Sequence, residues 1–516
     1  MPEHELKFYI PGASLYKLEL ALRRGRVEQT ELRAQYFDTA SRELASQKIA
    51  LRLRLEGQHW VQTLKMPGEG LLSRLEFNHP RSGPELDLRL YQGTPAARVL
   101  ERLAQPLTIR YETQVMRTLR LLRVPGALLE IALDRGFIQA SSLQLPVQEL
   151  EIELKRGSSA ALLACAKKWQ QAHPLILDLR SKSERGDQLA ALALRLDELQ
   201  SQNETVPTGL PEQAVAAFWK PQLSQPITLR PAMTARDAMA AVMSECVEQI
   251  SRNAALLAGV DATESFERET SEYVHQLRVG IRRLRSACAM FKGFCELPTP
   301  QSIQFIKSLF GQLGSRRDDD VLLQSLWPRL QAAGQPPLRL TVATQADHPE
   351  RLVRSPTFQA WQLDMLAFLD QAGRTSALAP PLSDLHAPSL KKLLRLRLQR
   401  WHRQVLSQGL RFETLSMEDR HALRKRLKRL RYALQFAYAL LPRGKIKPYL
   451  KQLACLQDLL GQMNDLVVAH QFFETLSQSQ PSAWFACGWI KSELGYLDAK
   501  IIAAFKRWAK TDQYWQ

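Results

Sequence analysis

The sequence predicts an α+β half built on an antiparallel sheet, followed by an all-α half. Three observations carry this: hydrophobic residues alternate at period two as far as about residue 200, the period changes to 3.6 beyond a proline-rich stretch, and the later half repeats itself. The 516 residues also exceed what one core normally organises, so two domains are expected: 1–200, and 221–512 after a linker at 201–220.

The elements follow in order. Glu3, Glu5 and Lys7 alternate with His4, Leu6 and Phe8, which writes a strand with one charged face. A helical stretch runs from Ser14 to about Arg24, and a second from Ser158 to about Gln171. Between them, L-R-L-R-L at 51–55, V-Q-T-L-K-M at 61–66, R-L-E-F-N at 74–78 and E-I-A-L-D at 130–134 read as strands. Pro67-Gly68, Pro125-Gly126 and Arg135-Gly136 supply turns, and the opening grammar returns at Glu149, Glu151, Glu153 and Lys155. Past the linker, Val274, Leu277, Ile281, Leu284, Cys288 and Phe291 form one helical stripe, and Leu423, Leu427, Leu430, Leu434 and Ala437 another.

Composition narrows the partners. Hydrophobic residues make up 45% and charged residues 24%, an ordinary globular balance, while the net charge of +18 is uneven. Residues 1–200 hold 29 basic and 24 acidic residues and the remainder 41 and 28, so the later part attracts a polyanion more strongly. Cys165, Cys246, Cys288, Cys295, Cys455 and Cys487 lack CxxC spacing and read as reduced thiols. Neither an apolar leader nor a run of about 18 apolar residues is evident, so a cytoplasmic protein without membrane contact is expected.

A solvated face explains any single charged strand. It explains less well why both signs recur in strand after strand. If the sheet curls with these faces inward, its lumen gathers acids along one wall and bases around it. Acids there can hold octahedral Mg²⁺ or Mn²⁺ through oxygen, and arginine and lysine suit phosphate oxygens. Together they describe a site for a polyphosphate ester or anhydride.

The segments E-H-E-L-K at 3–7, Y-F-D-T at 36–39, L-R-L-R at 51–54, T-L-K at 63–65, R-L-E at 74–76, E-I-A-L-D-R-G at 130–136, E-L-E-I-E-L-K at 149–155 and S-K-S-E-R-G at 181–186 resemble the CYTH domain, the triphosphate tunnel metalloenzymes. The resemblance implies an eight-stranded antiparallel tunnel and metal-dependent cleavage of a triphosphate. It implies metal-side acids at Glu3, Glu5, Glu151 and Glu153, with Glu130 and Asp134 contributing. Phosphate-binding bases are implied at Lys7, Arg52, Arg54, Lys65, Arg74, Arg117, Lys182 and Arg185, of which Lys7, Arg52, Arg54 and Lys65 are candidate catalytic residues. Members often carry a second base two residues after the arginine matching Arg117. Here that position is Leu119, and Arg120 falls on the opposite face.

His275, Arg278, Arg282 and Arg285 recur in spacing as His421, Arg424, Lys428 and Arg431. Each set is followed by a Leu-Gly step, and then by Arg317-Asp318 or Asn464-Asp465, which indicates a tandem duplication. A solvated basic face is the usual fate of such residues, yet like charges repel at this spacing, and doing so twice in register suggests an external anion. The segments at 275–285, 317–321, 424–432 and 456–465 are similar to the CHAD domain, which implies two pseudo-symmetric four-helix bundles, basic helices facing across a groove, and binding of inorganic polyphosphate. Each histidine is expected to donate to phosphate or to orient an aspartate such as Asp318 or Asp465, while His348, His386, His402 and His470 are ordinary residues. Trp484, Trp489 and Trp508 read as core or interface filling.

The leading reading is an inorganic triphosphatase using Mg²⁺ or Mn²⁺, joined to a polyphosphate-binding module and associated with polyphosphate granules. A class IV adenylate cyclase or a thiamine or nucleoside triphosphatase fits the same tunnel. A non-enzymatic polyanion binder is the alternative of another class, and the intact acids speak against it. Nucleic acid is not expected, because the bases are not interleaved with stacking aromatics.

Overall fold

The computed structural model describes residues 2–202, 218, 220–261, 270–314, 326–340, 348–378 and 389–511. Arg317, Asp318 and His386 lie outside them. The described chain forms two compact units, one of residues 1–223, 247–277 and 349–374, the other of 224–246, 278–348 and 375–516.

The first unit is organised by β1 (Pro2–Tyr9), β2 (Glu28–Asp38), β3 (Ala50–Glu56), β4 (His59–Pro67), β5 (Ser73–Arg81), β6 (Thr108–Val124), β7 (Ala127–Ala140) and β8 (Leu143–Gly157). They pair antiparallel in the order β5-β4-β3-β2-β6-β7-β8-β1, and β1 then pairs with β5 through Glu3 opposite Arg74. That last pairing closes an eight-stranded barrel, as the resemblance implies. A two-residue strand, β9 (Ile176–Leu177), adds to the outside of β1.

The barrel turns the usual polarity around. In β3, Leu51 and Leu53 are fully buried on the outside while Arg52 and Arg54 line the lumen, and Leu6, Phe8, Leu150 and Ile152 repeat the pattern on β1 and β8. A charged interior leaves the apolar faces outside, where other elements must cover them. Leu44, Ile49, Leu51 and Leu64 pack with Tyr91, Ala96 and Leu100 of the connection between β5 and β6, a core the sequence reading did not foresee. Elsewhere the cover comes from α1 (Gly12–Leu22), α4 (Ser159–Ala172) and α5 (Lys182–Gln202), with the short α2 (Glu43–Ser46) and α3 (Ala97–Leu100) between. The predicted helices at 14–24 and 158–171 are therefore α1 and α4, the latter capped by Ser158 accepting from the Ala161 amide.

The later half is helical: α6 (Ala235–Leu257), α7 (Thr270–Phe291), α8 (Pro300–Gln312), α9 (Trp327–Ala332), α10 (Pro349–Arg354), α11 (Pro356–Leu378), α12 (Leu390–Gly409), α13 (Met417–Phe436), α14 (Arg443–Ser477) and α15 (Ala483–Ala509). In the second unit α12, α13, α14 and α15 pack in a closed ring of neighbours, a four-helix bundle. Its core holds Trp508 against His402 and Tyr449, where the His402 Nδ1 lies 2.5 Å from the Tyr449 hydroxyl and burial pushes the imidazole down to about 4. His402 thus lies in the core, where burial disfavours its charged form. Trp484, by contrast, is 58% exposed and fills no core. The cysteines are unpaired, and among the described residues no helix is long and apolar enough to cross a membrane.

Candidate active site in the barrel lumen

The lumen is a polar cavity of about 580 Å³. Strand alternation delivers Glu3, Glu5 and Lys7 from β1, Tyr36 from β2, Arg52 and Arg54 from β3, Lys65 from β4 and Glu76 from β5. Arg117 comes from β6, Glu130 and Asp134 from β7, and Glu151, Glu153 and Lys155 from β8. Lys182, at the first turn of α5, enters from an end of the barrel.

Acids and bases interleave. Lys7 Nζ lies 2.7 Å from Glu5 and 3.9 Å from Glu151. Arg117 bridges Asp134 at 2.7 Å and Glu151 at 2.6 Å. Lys155 joins Glu153 at 2.9 Å to Glu130 at 3.5 Å, and Arg54 Nε donates to Glu56 at 2.6 Å. Asp134, Glu149 and Glu151 crowd together at a spacing that could hold a metal, but Lys182 Nζ sits among them, 2.6 Å from Asp134, 3.1 Å from Glu151 and in contact with Glu149. Burial would lower the Lys182 ammonium; these three carboxylates outweigh it and hold the group firmly charged. In that corner an internal ammonium already balances the acids.

The other wall repeats the arrangement with a second ammonium. Lys65 Nζ is shared between Glu3 at 2.8 Å and Glu76 at 3.0 Å, and Arg52 approaches Glu76 at 3.7 Å. Burial and a hydrogen bond to Glu76 push the Glu3 carboxyl up to about 8. Burial would raise Glu76 as well, but that hydrogen bond and the charges of Lys65 and Arg52 hold it below its ordinary value. Glu3 and Glu76 thus meet at the Lys65 ammonium, one carboxyl pushed up and the other held down, and the acids of this wall offer oxygen ligands. Carboxylate oxygens of this kind would suit a hard divalent cation in place of an ammonium, as would the Asp134, Glu149 and Glu151 group. The same region holds Glu5, whose carboxylate Lys7 and Lys65 keep ionised against the effect of burial.

The Glu3 proton has a consequence for stability. Between the ordinary carboxyl value of 4.5 and about 8, the folded metal-free chain binds a proton that the unfolded chain has released, so its stability falls as pH rises through that window. Glu149 and Glu153, also raised by burial, act in the same direction. Glu3→Gln is expected to flatten the slope, read by urea unfolding in EDTA at pH 5, 6.5 and 8; an unchanged slope would remove Glu3 from this role.

Two of the phosphate-binding candidates are not brought to the cavity. Arg74 stands beside the closing β1–β5 pairing, where its guanidinium turns to the Ser73 carbonyl at 3.5 Å. Arg185 is 3% exposed and lies behind Lys182, bonded to Glu149 at 3.1 Å and to the Pro146 carbonyl at 2.9 Å. Leu119 faces the lumen while Arg120 reaches the Ala21 carbonyl outside, so Arg120 does not supply the base that position lacks.

Among the lumen residues without a role predicted from sequence, Glu76 and Tyr36 contact the predicted bases. Glu76 was visible only as part of a charged face. Tyr36 accepts from Arg52 at 3.3 Å and stacks on Tyr111 at 4.6 Å; burial would raise its hydroxyl, and Arg52 lowers it. Tyr111 in turn leans on α5, where a Cβ on Gly186 would lie 2.2 Å from its ring. The Asp38 of the same Y-F-D-T segment is structural, accepting from the amides of Thr39, Leu44 and Ala45.

The helical basic residues sort likewise. The boundary between the units crosses α7, leaving His275 in the first. In the second, Arg278 is 8% exposed and caps α8 through the Leu313 carbonyl at 2.6 Å, while Arg282 and Arg285 reach over Phe310 at 5.9 and 5.8 Å. Burial and the nearby Arg429 of α13 lower Arg285. His421 Nδ1 meets Asn464 at 3.0 Å, not the expected Asp465, and burial with Lys425 lowers its imidazole. Arg424, Lys428 and Arg431 follow His421 on α13.

Comparison with known proteins bears on both halves. Residues 1–186 match the family model of the CYTH domain, and residues 241–474 that of the CHAD domain. Over 185 residues the chain is 30% identical to the inorganic triphosphatase of Haemophilus influenzae, covering 35% of this chain and 52% of that protein, so it spans about half that relative's length. Similar solved structures include a CHAD domain from Ricinus communis, 30% identical over 56% of this chain and 96% of that one, with a TM-score of 0.46. Another is a Hippeastrum protein described as an adenylyl cyclase candidate that reveals a dominant triphosphatase activity, 18% identical over 35% of this chain and 93% of that one, TM-score 0.27.

Proposed function

A CYTH domain at residues 1–186 and a CHAD domain at residues 241–474 make up most of this chain, and on that premise we propose that the barrel hydrolyses inorganic triphosphate to pyrophosphate and phosphate with a divalent cation, Mg²⁺ or Mn²⁺. The observation that carries this reading is the lumen itself. One cavity holds an oxygen-only acid set beside a ring of bases, and a plain anion binder has no use for the acids.

Glu3, Glu5 and Glu76 would hold the cation, which when bound supplies Lewis-acid polarisation of a phosphate oxygen. The chain's own residues do the rest. Lys65, Arg52, Arg54, Arg117 and Lys182 bind and orient the phosphates, so that a water can attack the terminal phosphorus in line as the bond to the bridging oxygen breaks. Those guanidinium and ammonium groups are fixed before the substrate arrives and neutralise charge on the departing pyrophosphate, with Lys7 on the leaving side. The resemblance to an inorganic triphosphatase supports the small substrate.

Phosphate release from triphosphate, ATP, thiamine triphosphate and long-chain polyphosphate, each with Mg²⁺, Mn²⁺ or EDTA, tests this. Metal-dependent release fastest from triphosphate is expected. Faster turnover of ATP or thiamine triphosphate, or full activity in EDTA, would overturn it.

For the helical half, the basic residues Arg282 and Arg285 of α7 and Arg424, Lys428 and Arg431 of α13 support binding of inorganic polyphosphate, with His421 donating a hydrogen bond and Arg278 holding the helix end. This provides a means of association with polyphosphate granules in the cytoplasm. Displacement of labelled polyphosphate from the full chain by duplex DNA at equal charge concentration would count against it.

A further inference from the structure

Lys182 reaches the cavity from the first turn of α5, and that turn is held from behind by residues well outside the strands. Glu149 turns one oxygen to Lys182 and with the other accepts from Arg185 Nη1 at 3.1 Å. Arg185 Nη2 donates to Asp261 at 2.5 Å, and Asp261 accepts from Arg180 Nη2 at 3.2 Å. Asp178 fixes Arg180 in turn, at 2.9 and 2.7 Å. Beside this chain Arg252, on α6, grips Glu184 of the same α5 turn, with Nη2 at 3.0 Å, and is itself held by Glu248 at 2.9 Å. Glu149, Asp178, Arg180, Arg185 and Asp261 are all buried.

Asp261 and Arg252 lie within the stretch matched by the CHAD model, yet they belong to the same compact unit as the barrel. We propose that Asp261 is a positioning residue which, through Arg185 and Glu149, sets where Lys182 stands in the cavity, so that the barrel's grip on a triphosphate depends on a segment of the helical domain. The inference rests on the triphosphate reading above.

The electrostatics give the direction. With Asp261 neutral, Arg185 keeps the Glu149 hydrogen bond and the nearby charge of Asp178, and in a buried setting the guanidinium pulls harder on the carboxylate it is bonded to, drawing Glu149 off Lys182. Lys182 then leans on Asp134 and Glu151, which Arg117 already occupies. An ammonium displaced by a fraction of an ångström meets the substrate phosphate less well.

The test is a double-mutant cycle in the full chain: Asp261→Asn, Lys182→Gln and the pair, with Asp261→Glu for rescue. Tripolyphosphate binding is read by calorimetry in EDTA and KM from turnover with metal. Asp261→Asn is expected to weaken binding and raise KM about tenfold with kcat changed less than about twofold, and to add less than about twofold once Lys182 is replaced. Asp261→Glu restores binding. Should Asp261→Asn fail to fold, Arg252→Gln loosens the same turn from a less central position and is expected to raise KM about threefold, again only with Lys182 present. Additive effects in the cycle, or a lower melting temperature with unchanged binding, overturn the proposal. Failure of the unmodified chain to bind or cleave triphosphate would instead overturn the reading beneath it.

Discussion

Arg52→Ala is expected to lower kcat for triphosphate about a hundredfold, the usual loss when one preorganised donor is removed from a transition state. Arg52 is 13% exposed at the side chain, pinned by the Tyr36 hydroxyl at 3.3 Å and facing Glu76 at 3.7 Å. A group held this way reorganises little as charge develops on the substrate, so its contribution belongs more to kcat than to KM. Arg52→Lys keeps the charge but loses the fork, and recovery is expected to be partial. Steady-state kinetics on all three chains decide the matter: a near-normal kcat in Arg52→Ala would remove Arg52 from the reaction, and loss confined to KM would make it a binding residue only.

Glu5→Gln carries the second large effect. The Glu5 carboxylate is part-buried beside Lys7 and stays ionised because Lys7 and Lys65 outweigh its desolvation. Glutamine preserves its shape and still accepts from Lys7, but withdraws one negative charge from the oxygen set around Glu3 and Glu76. The Mg²⁺ concentration giving half-maximal activity is therefore expected to rise about a hundredfold, at the upper end for groups that shape a metal site. A metal titration coinciding with that of the unmodified chain would take Glu5 out of cation binding.

Much of the barrel was legible because strands keep a strict period of two. Once Leu51 and Leu53 face a core, Arg52 and Arg54 must face the lumen, and Leu119 must face it while Arg120 does not. The same alternation could not tell which inward residues sit deep in the lumen and which stand at its edge. Arg74 shares the inward face of β5 with Glu76 but ends beside the closing seam. Helical motifs were less readable. S-K-S-E-R-G offers two bases three residues apart, and only the docking of α5 against β6, β7 and β8 sends Lys182 into the cavity and Arg185 behind it. The Tyr36 contact with Arg52 pairs β2 with β3, and the Glu3 contact with Glu76 pairs the first strand with the fifth; neither has a local signal.

Local pattern by itself determined the two periods, the inward and outward faces and the kinds of charge the lumen contains, because side-chain direction along a strand or helix is set by backbone geometry within a few residues. Tertiary structure alone decided which opposite charges meet. Barrel closure placed Lys65 between Glu3 and Glu76 and, by burying Glu3, pushed its carboxyl up, and the folding of 247–261 against α5 set Asp261 behind Lys182. These pairings join residues tens to hundreds of positions apart. Their energies depend on distance and burial, and neither exists until the chain has closed.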